Sequence, residues 1–283
     1  MAVIEDFGKY ETAWCPGCGN HSILAALKAS LAASGLEPHE ILIVSGIGQA
    51  AKTPHYLNVN VFNGLHGRSL PAATGAKLAN SRLKVIAESG DGCNYGEGGN
   101  HFLSAIRRNI NITLLVHNNQ IYGLTKGQAS PTTQEDFITK AQPGGVHASA
   151  FNPVQIAVAM KAGFVARAFS GRERHLSKII GEGIAHNGFA LIDILQPCVS
   201  FNKVNTFAWY DKKCYELPDD YDPTNWDIAV KKASEWEDKI PVGIIYRNNR
   251  KPYDEHFSVL KDGPLTEKKT DMDALSKIME GYG

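Results

Sequence analysis

Long apolar runs are missing from this chain. Even Ile41–Val44 soon meets the glycines of Gly46-Ile47-Gly48, so no stretch approaches the length needed to cross a bilayer. Neither sign of charge dominates. Lys+Arg and Asp+Glu both number 29, and the formal charge is zero. That balance argues against a nucleic-acid or anionic-membrane partner. The first ten residues carry Glu5 and Asp6 and lack the apolar core of a secretory signal, so a cytoplasmic protein is expected. Cysteine is scarce and odd in number: five, at 15, 18, 93, 198 and 214, in 283 residues. A disulfide framework is therefore not expected. In a reducing compartment the pair in Cys15-Pro16-Gly17-Cys18 points instead to metal, cluster or thiol chemistry.

What is present is an ordinary globular composition, 43% hydrophobic and 20% charged, enough to bury a core. Apolar runs alternate with helical patterns, which predicts an α/β fold: a mostly parallel sheet with helices on both faces. Strands are predicted at Ile41–Ser45, Asn58–Phe62, Leu83–Glu88, Ile112–His117, Phe164–Phe169 and Ala190–Gln196. Helices are predicted around His21–Ala33, Leu70–Ala79, Asn100–Arg107, Pro153–Ala162 and Arg172–Ala185. From about Asn202 the alternation ends and Trp209, Trp226 and Trp236 stand among Lys, Asp and Pro. Residues 1–200 are expected to form one domain. Residues 201–283 are expected to form an extended tail packing on it or on a partner, with one helix around Asn225–Lys239.

In a parallel sheet the loops after successive strands share the carboxyl edge, where open α/β folds bind ligands. Gly46-Ile47-Gly48, Gly90-Asp91-Gly92, Asn118-Asn119 and Pro197-Cys198 each follow a predicted strand, so they are expected to meet there. Glycines let the backbone bring N–H groups close to phosphate oxygens. Asp91 offers an anionic oxygen suited to Mg²⁺; the Asn119 side-chain oxygen and the Ile121 carbonyl could complete the protein's share of the coordination. Either dipeptide alone reads most simply as a turn or a capped strand end. Joined by one helix–strand unit, they are far more specific.

Gly-Asp-Gly followed, after a helix and a strand, by Asn-Asn resembles the motif of thiamine diphosphate enzymes. Trp14-Cys15-Pro16-Gly17-Cys18-Gly19, Ser45-Gly46-Ile47-Gly48, Leu65-His66-Gly67-Arg68, Gly99-Asn100-His101-Phe102, the run Tyr122–Thr132 and Pro197-Cys198 narrow the match. Together they resemble the β (thiamine diphosphate-binding) subunit of 2-oxoacid:ferredoxin oxidoreductases, in the 2-oxoglutarate or broad 2-oxoacid branch. The resemblance runs in order from about Trp14 to Tyr215.

It implies CoA-dependent oxidative decarboxylation of a 2-oxo acid, with electrons passed through iron–sulfur centres to ferredoxin. The implied cofactor contacts are Gly46, Ile47 and Gly48; His66; Gly90, Asp91, Gly92, Cys93 and Asn94; and Asn119, Ile121, Tyr122, Gly123, Leu124 and Thr125. Asp91, Asn119 and the Ile121 carbonyl are the implied Mg²⁺ ligands. Ile47 is expected to hold the cofactor bent, core packing being the equally simple reading. His66 and Arg68 are candidates to face the reacting carbon and an anionic substrate, against a plain surface turn. Lys126 and Lys52 are candidates for the substrate carboxylates, although lysines are usually solvated.

The family holds a [4Fe–4S] cluster on four cysteines, and here Cys15, Cys18 and Cys198 are present while Gln49 stands at the third position. Three readings stay open: a cluster on three cysteines with a non-thiolate fourth ligand, Cys93 as the fourth ligand, or no cluster. Zinc on Cys15, Cys18 and Cys198 is a further reading, and Cys214 reads as a bystander thiol. No glutamate sits in a motif suited to activate the aminopyrimidine ring. The resemblance places that acid on an α subunit, giving an αβ heterodimer or a dimer of αβ units with ferredoxin and coenzyme A as further partners. The rival readings are a non-oxidative thiamine diphosphate decarboxylase or synthase, which has no use for the three cysteines, and a non-catalytic scaffold, which has no use for Asp91 and Asn119.

Overall fold

The computed structural model describes residues 2–282. In chain order its strands are β1 (Ile41–Ser45), β2 (Asn60–Asn63), β3 (Lys84–Gly90), β4 (Thr113–Asn118), β5 (Ile121–Tyr122), β6 (Gln128–Ala129), β7 (Phe164–Phe169), β8 (Ala190–Leu195), β9 (Cys214–Glu216) and β10 (Ile240–Arg247). Eight of them form one sheet in the order β2-β1-β3-β4-β8-β7-β10-β9, while β5 and β6 make a small separate hairpin. From β2 to β7 every neighbouring pair is parallel. The central strands β4, β7 and β8 are buried along their whole length, as a parallel sheet covered on both faces requires.

The described residues form eight α-helices: α1 (Asn20–Ala33), α2 (Ser69–Ala79), α3 (Gly99–Arg108), α4 (Pro153–Ala159), α5 (Glu173–Ala185), α6 (Phe207–Lys213), α7 (Trp226–Ser234) and α8 (Met272–Glu280), the last of which buries none of its residues. Local chemistry sets several boundaries. The Asn152 side chain accepts the Gln155 N–H and Pro153 opens α4, a capped start with the proline where no N–H is needed. Asn225 caps α7 in the same way, and Asn109 ends α3 in the left-handed conformation. One core layer packs α1 and α5 on one face; a second packs α2, α3, α4 and α7 on the other. Among the described residues no helix is long and apolar enough to cross a membrane.

Strand–helix alternation was expected to stop near Asn202, and there the structure differs. Strand β10 joins β7 antiparallel, and β9 adds to β10 in parallel, so residues beyond 201 complete the sheet. The apolar run Ile240–Tyr246 is interrupted by Pro241 and Gly243, which argue against a strand interior. The structure accommodates them next to a bulge between Ile244 and Tyr246, with Gly243 at φ +140°.

Candidate active site

The strands β1, β3, β4 and β8 run parallel, so the loops that follow them leave at one edge. Three of those loops line a single cleft of about 70 Å³: residues 47–50 after β1, 90–93 after β3, and Asn119 with 121–125 after β4, joined by His66. The expected cofactor contacts Ile47, Gly48, Gly90, Asp91, Gly92, Cys93, Asn119, Ile121, Tyr122, Gly123, Leu124 and Thr125 are thus brought together. Asn94 is not among the lining. It is buried, its Oδ1 accepting from the Ser69 hydroxyl (3.1 Å) and its amide donating to the Gly90 carbonyl (3.2 Å). Arg68, Lys52 and Lys126 also lie outside it. The Arg68 guanidinium leans on the Gly67 and Glu97 carbonyls.

At Gly90 the strand passes into a π-helical turn, Gly92–Glu97, whose wider winding is closed by the Gly98 N–H donating to the Cys93 carbonyl (3.0 Å). Asp91 stands at the head of that turn, 1% exposed. Its Oδ2 accepts from the hydroxyls of Ser130 (2.5 Å) and Thr132 (2.6 Å), which the β5–β6 hairpin delivers. Burial pushes this carboxyl above its ordinary range, while those two hydroxyls and the Gly92 N–H pull the other way. Asn119 Oδ1 accepts the Ile121 N–H (3.0 Å), and Gln120 between them takes the left-handed conformation at φ +60°. This turn presents the Asn119 amide and the Ile121 peptide toward the cleft. Carboxylate, amide and carbonyl oxygens form a hard donor set that fits Mg²⁺.

Two glycines are required by close approach. A Cβ on Gly46 would lie 2.4 Å from the Cys93 sulfur. A Cβ on Gly92 would lie 2.2 Å from the Tyr122 ring, so Gly92→Ala must displace the ring that walls the cleft. We expect a penalty of about 1–3 kcal/mol, read as a lower unfolding midpoint in urea together with weaker thiamine diphosphate binding. An unchanged midpoint and unchanged binding would show that Tyr122 moves freely.

Buried networks sit beneath the cleft. Thr132 also lies 2.9 Å from Asn118 Oδ1, and the Asn118 amide donates to both oxygens of Asp193 (3.2 and 3.1 Å) on β8. The Tyr95 hydroxyl donates to the same carboxylate at 2.9 Å. Burial raises the Asp193 carboxyl to about 6. On the other face, Glu88 of β3 and His117 of β4, both fully buried, meet at 2.9 Å, and the second His117 nitrogen meets Asn20 Oδ1 at 2.8 Å. That contact ties the first turn of α1, just after the cysteine pair, to the strands carrying Asp91 and Asn119.

At the mouth of the cleft, His66 Nδ1 stands 2.9 Å from a Glu97 oxygen, within ion-pair distance though off the hydrogen-bonding direction. The Tyr122 hydroxyl reaches both Glu97 oxygens (3.3 and 3.2 Å). Glu97, Ser130, Thr132, Asp193 and Gln120 were not singled out from the sequence. Lone polar residues inside otherwise apolar strand runs, such as Asp193 in Ala190-Leu191-Ile192-Asp193-Ile194-Leu195, were the available signal.

The fourth loop carries Cys198 away from this cleft to the N-terminal segment. Cys15 and Cys198 lie near enough to Cys18 to raise its thiol, which burial chiefly pushes up to about 11. Ser200 donates to the Cys15 sulfur (3.2 Å), and the Gln196 amide contacts the Cys18 sulfur (3.3 Å). The third expected position holds Gln49, whose carbonyl accepts the Trp14 indole N–H (2.8 Å) and whose Oε1 is buried without a partner. Cys93 faces elsewhere: its sulfur accepts from the N–H groups of Gly67 (3.1 Å) and Ile47 (3.5 Å) inside the cofactor loops. Among the described residues no three His, Cys, Asp or Glu side chains already stand as a metal cage. Cys15, Cys18 and Cys198 thus lie in one region outside the cleft, and Gln49, in the third of the family's cysteine positions, offers no sulfur.

Residues 44–194 match the model of the family described as thiamine pyrophosphate enzyme, C-terminal TPP binding domain. Residues 198–262 match the family model for the C-terminal part of the pyruvate ferredoxin oxidoreductase beta chain. The chain is 46% identical to 2-oxoacid:ferredoxin oxidoreductase 1, subunit beta, of Aeropyrum pernix, over 87% of this chain and 81% of that protein. It is 44% identical to the 2-oxoacid:ferredoxin oxidoreductase subunit beta of Saccharolobus solfataricus, over 83% and 81%. A solved structure of the 2-oxoglutarate:ferredoxin oxidoreductase from Magnetococcus marinus, with 2-oxoglutarate, coenzyme A and succinyl-CoA bound, superposes with a TM-score of 0.92 at 30% identity. That match covers 98% of this chain and 96% of that one.

Proposed function

The chain belongs to the β subunits of the 2-oxoacid:ferredoxin oxidoreductases, and from that premise we propose that it binds Mg²⁺–thiamine diphosphate in the cleft after β1, β3 and β4. There it would serve CoA-dependent oxidative decarboxylation of a 2-oxo acid. The observation that carries this reading is the meeting of Asp91, Asn119 and Ile121 on one cleft. These three hold the Mg²⁺. The peptide groups of 90–93 and 122–125 cradle the diphosphate, and Ile47 supports the cofactor from below. Bound there, thiamine diphosphate supplies the carbanion and the electron sink.

The chain's own residues orient and shield. Ser130 and Thr132 fix the Asp91 carboxylate, so it is aimed before any ion arrives. His66, steadied by Glu97, faces the reacting carbon. Arg68 braces the His66 loop, and Lys52 and Lys126 lie near enough in sequence to the lining to meet substrate carboxylates when a partner closes the site. Lys126→Ala is expected to raise KM for a dicarboxylic 2-oxo acid more than for a monocarboxylic one. Equal effects would remove that role.

The site is completed by an α subunit, which brings the acid that activates the aminopyrimidine. The cleft, at about 70 Å³, is well below the roughly 300–1,000 Å³ of an enclosing ligand pocket. Ile47, Val61, Phe62, Leu65 and Leu124 are exposed around it and on the edge strand β2, as an interface in waiting. Cys15, Cys18 and Cys198 would hold an iron–sulfur cluster, with a non-thiolate ligand in the remaining position, and the cluster would supply the one-electron exit toward ferredoxin. Iron and sulfide analysis of anaerobically purified complex, with EPR after reduction, tests that arm; zinc without iron contradicts it. Reduction of ferredoxin or viologen by a panel of 2-oxo acids with coenzyme A tests the whole. Carbon dioxide release with no acceptor reduced would favour the non-oxidative decarboxylase.

A further inference from the structure

Behind the Asn119-Gln120-Ile121 turn, on the α4 and α7 face of the sheet, lies a second and larger cavity of about 360 Å³. Its walls include Asn118, Gln120, Gln134, Arg167, Asp193 and Trp236. Arg167 on β7 and Asp193 on β8 are paired in register, which puts both side chains on this face. The Arg167 side chain is 1% exposed, yet among the described residues no carboxylate lies within ion-pair distance of it. Its two terminal nitrogens reach only the Glu235 and Ala233 carbonyls, at 3.4 and 3.3 Å. Its Nε has no partner at all. The Trp236 ring stacks 5.4 Å from the guanidinium carbon.

Gln120 presents the same anomaly. It is 1% exposed, and neither its amide nitrogen nor its amide oxygen has a hydrogen-bond partner. A buried guanidinium nitrogen and a buried carboxamide left unpaired are both costly, and both line one polar cavity. Two neighbouring polar side chains, Asp193 and Asn152, are already occupied. Asp193 receives Tyr95 and Asn118, and the Asn152 side chain is committed to Gln155 and the Ala233 carbonyl.

We propose that this cavity is a binding site for a short-chain monocarboxylate, held between Arg167 Nε and the Gln120 amide. The donors left free suit it: two N–H groups for the two oxygens of one carboxylate, with the Gln120 Oε1 left for a hydroxyl or amide on its chain. A carboxylate fits better than phosphate, because Asp193 and Glu237 also line the cavity and would repel a second negative charge. The volume falls within the range of small-ligand pockets. The site is separate from the Mg²⁺ cleft, and its occupation needs no thiamine diphosphate.

The test is a propionate titration of the purified αβ complex at constant ionic strength, with and without Mg²⁺–thiamine diphosphate, followed by calorimetry and by tryptophan fluorescence. Propionate carries no 2-oxo group, so the outcome is independent of the catalytic reading. Expected are saturable binding in both conditions, a fluorescence change lost in Trp236→Phe, and at least tenfold weaker binding in Arg167→Met and Gln120→Gly. Glycine accepts the left-handed backbone of residue 120, so that variant stays informative if the buried Arg167 substitution does not fold. No saturation, equal affinity in Gln120→Gly, tighter binding of inorganic phosphate, or ordered water alone in a crystal grown with propionate would each overturn the proposal.

Discussion

Asp91→Asn is expected to weaken Mg²⁺-dependent thiamine diphosphate binding at least 100-fold, about 3 kcal/mol, while leaving the fold intact. The two halves of that result have separate causes. Mg²⁺ prefers anionic oxygen, and the substitution replaces the anionic donor of the proposed set with a neutral amide. Folding should not suffer, because the wild-type carboxylate is buried and its charged form is disfavoured there. An amide oxygen can still accept from Ser130 or Thr132. Calorimetric titration of the cofactor, paired with urea unfolding of the same variant, separates these effects. Lost binding with lost stability would make Asp91 a structural residue. Retained binding would remove it as a metal ligand.

Asp193 is the second large effect, and its sign is fixed by the direction of its shift. Burial raises its carboxyl from 3.8 to about 6, so the folded chain holds the proton more tightly than the unfolded one. The associated stability is complete below about pH 4 and is lost as pH rises through 6, a change of ~3 kcal/mol. Asp193→Asn cannot titrate. The stability difference between variant and wild type should therefore move in the variant's favour by most of that amount between pH 4 and 7. Chemical denaturation at several pH values measures it. Parallel stability curves would mean that Arg167, together with the Asn118 and Tyr95 hydrogen bonds, holds Asp193 at its ordinary value.

The parallel core and its carboxyl edge were legible in the sequence because they rest on local patterns. Runs such as Leu83–Glu88 and Ile112–His117 announce buried strands, and the glycine and asparagine motifs that follow them are read without knowing any contact. Strands β9 and β10 were not legible. They enter the sheet beyond β7 by long-range pairing, and Pro241 and Gly243 disguise the run. In the site, Asp91, Asn119 and Ile121 could be named from their motif. Ser130, Thr132 and Asp193 could not, because their roles depend on how the β5–β6 hairpin folds back over β3 and how β8 lies beside β4. Cys93 illustrates the limit from the other side. As a residue type it could have joined Cys15, Cys18 and Cys198, but only the backbone shows its sulfur turned to Gly67 and Ile47.

The most direct test of the central claim is a titration of thiamine diphosphate into the purified αβ complex, once with Mg²⁺ and once with the metal chelated. Saturable binding that needs the metal, and that disappears in Asp91→Asn, is the expected result. Binding that ignores chelation, or no binding in either condition, would contradict a Mg²⁺–diphosphate site on Asp91, Asn119 and Ile121.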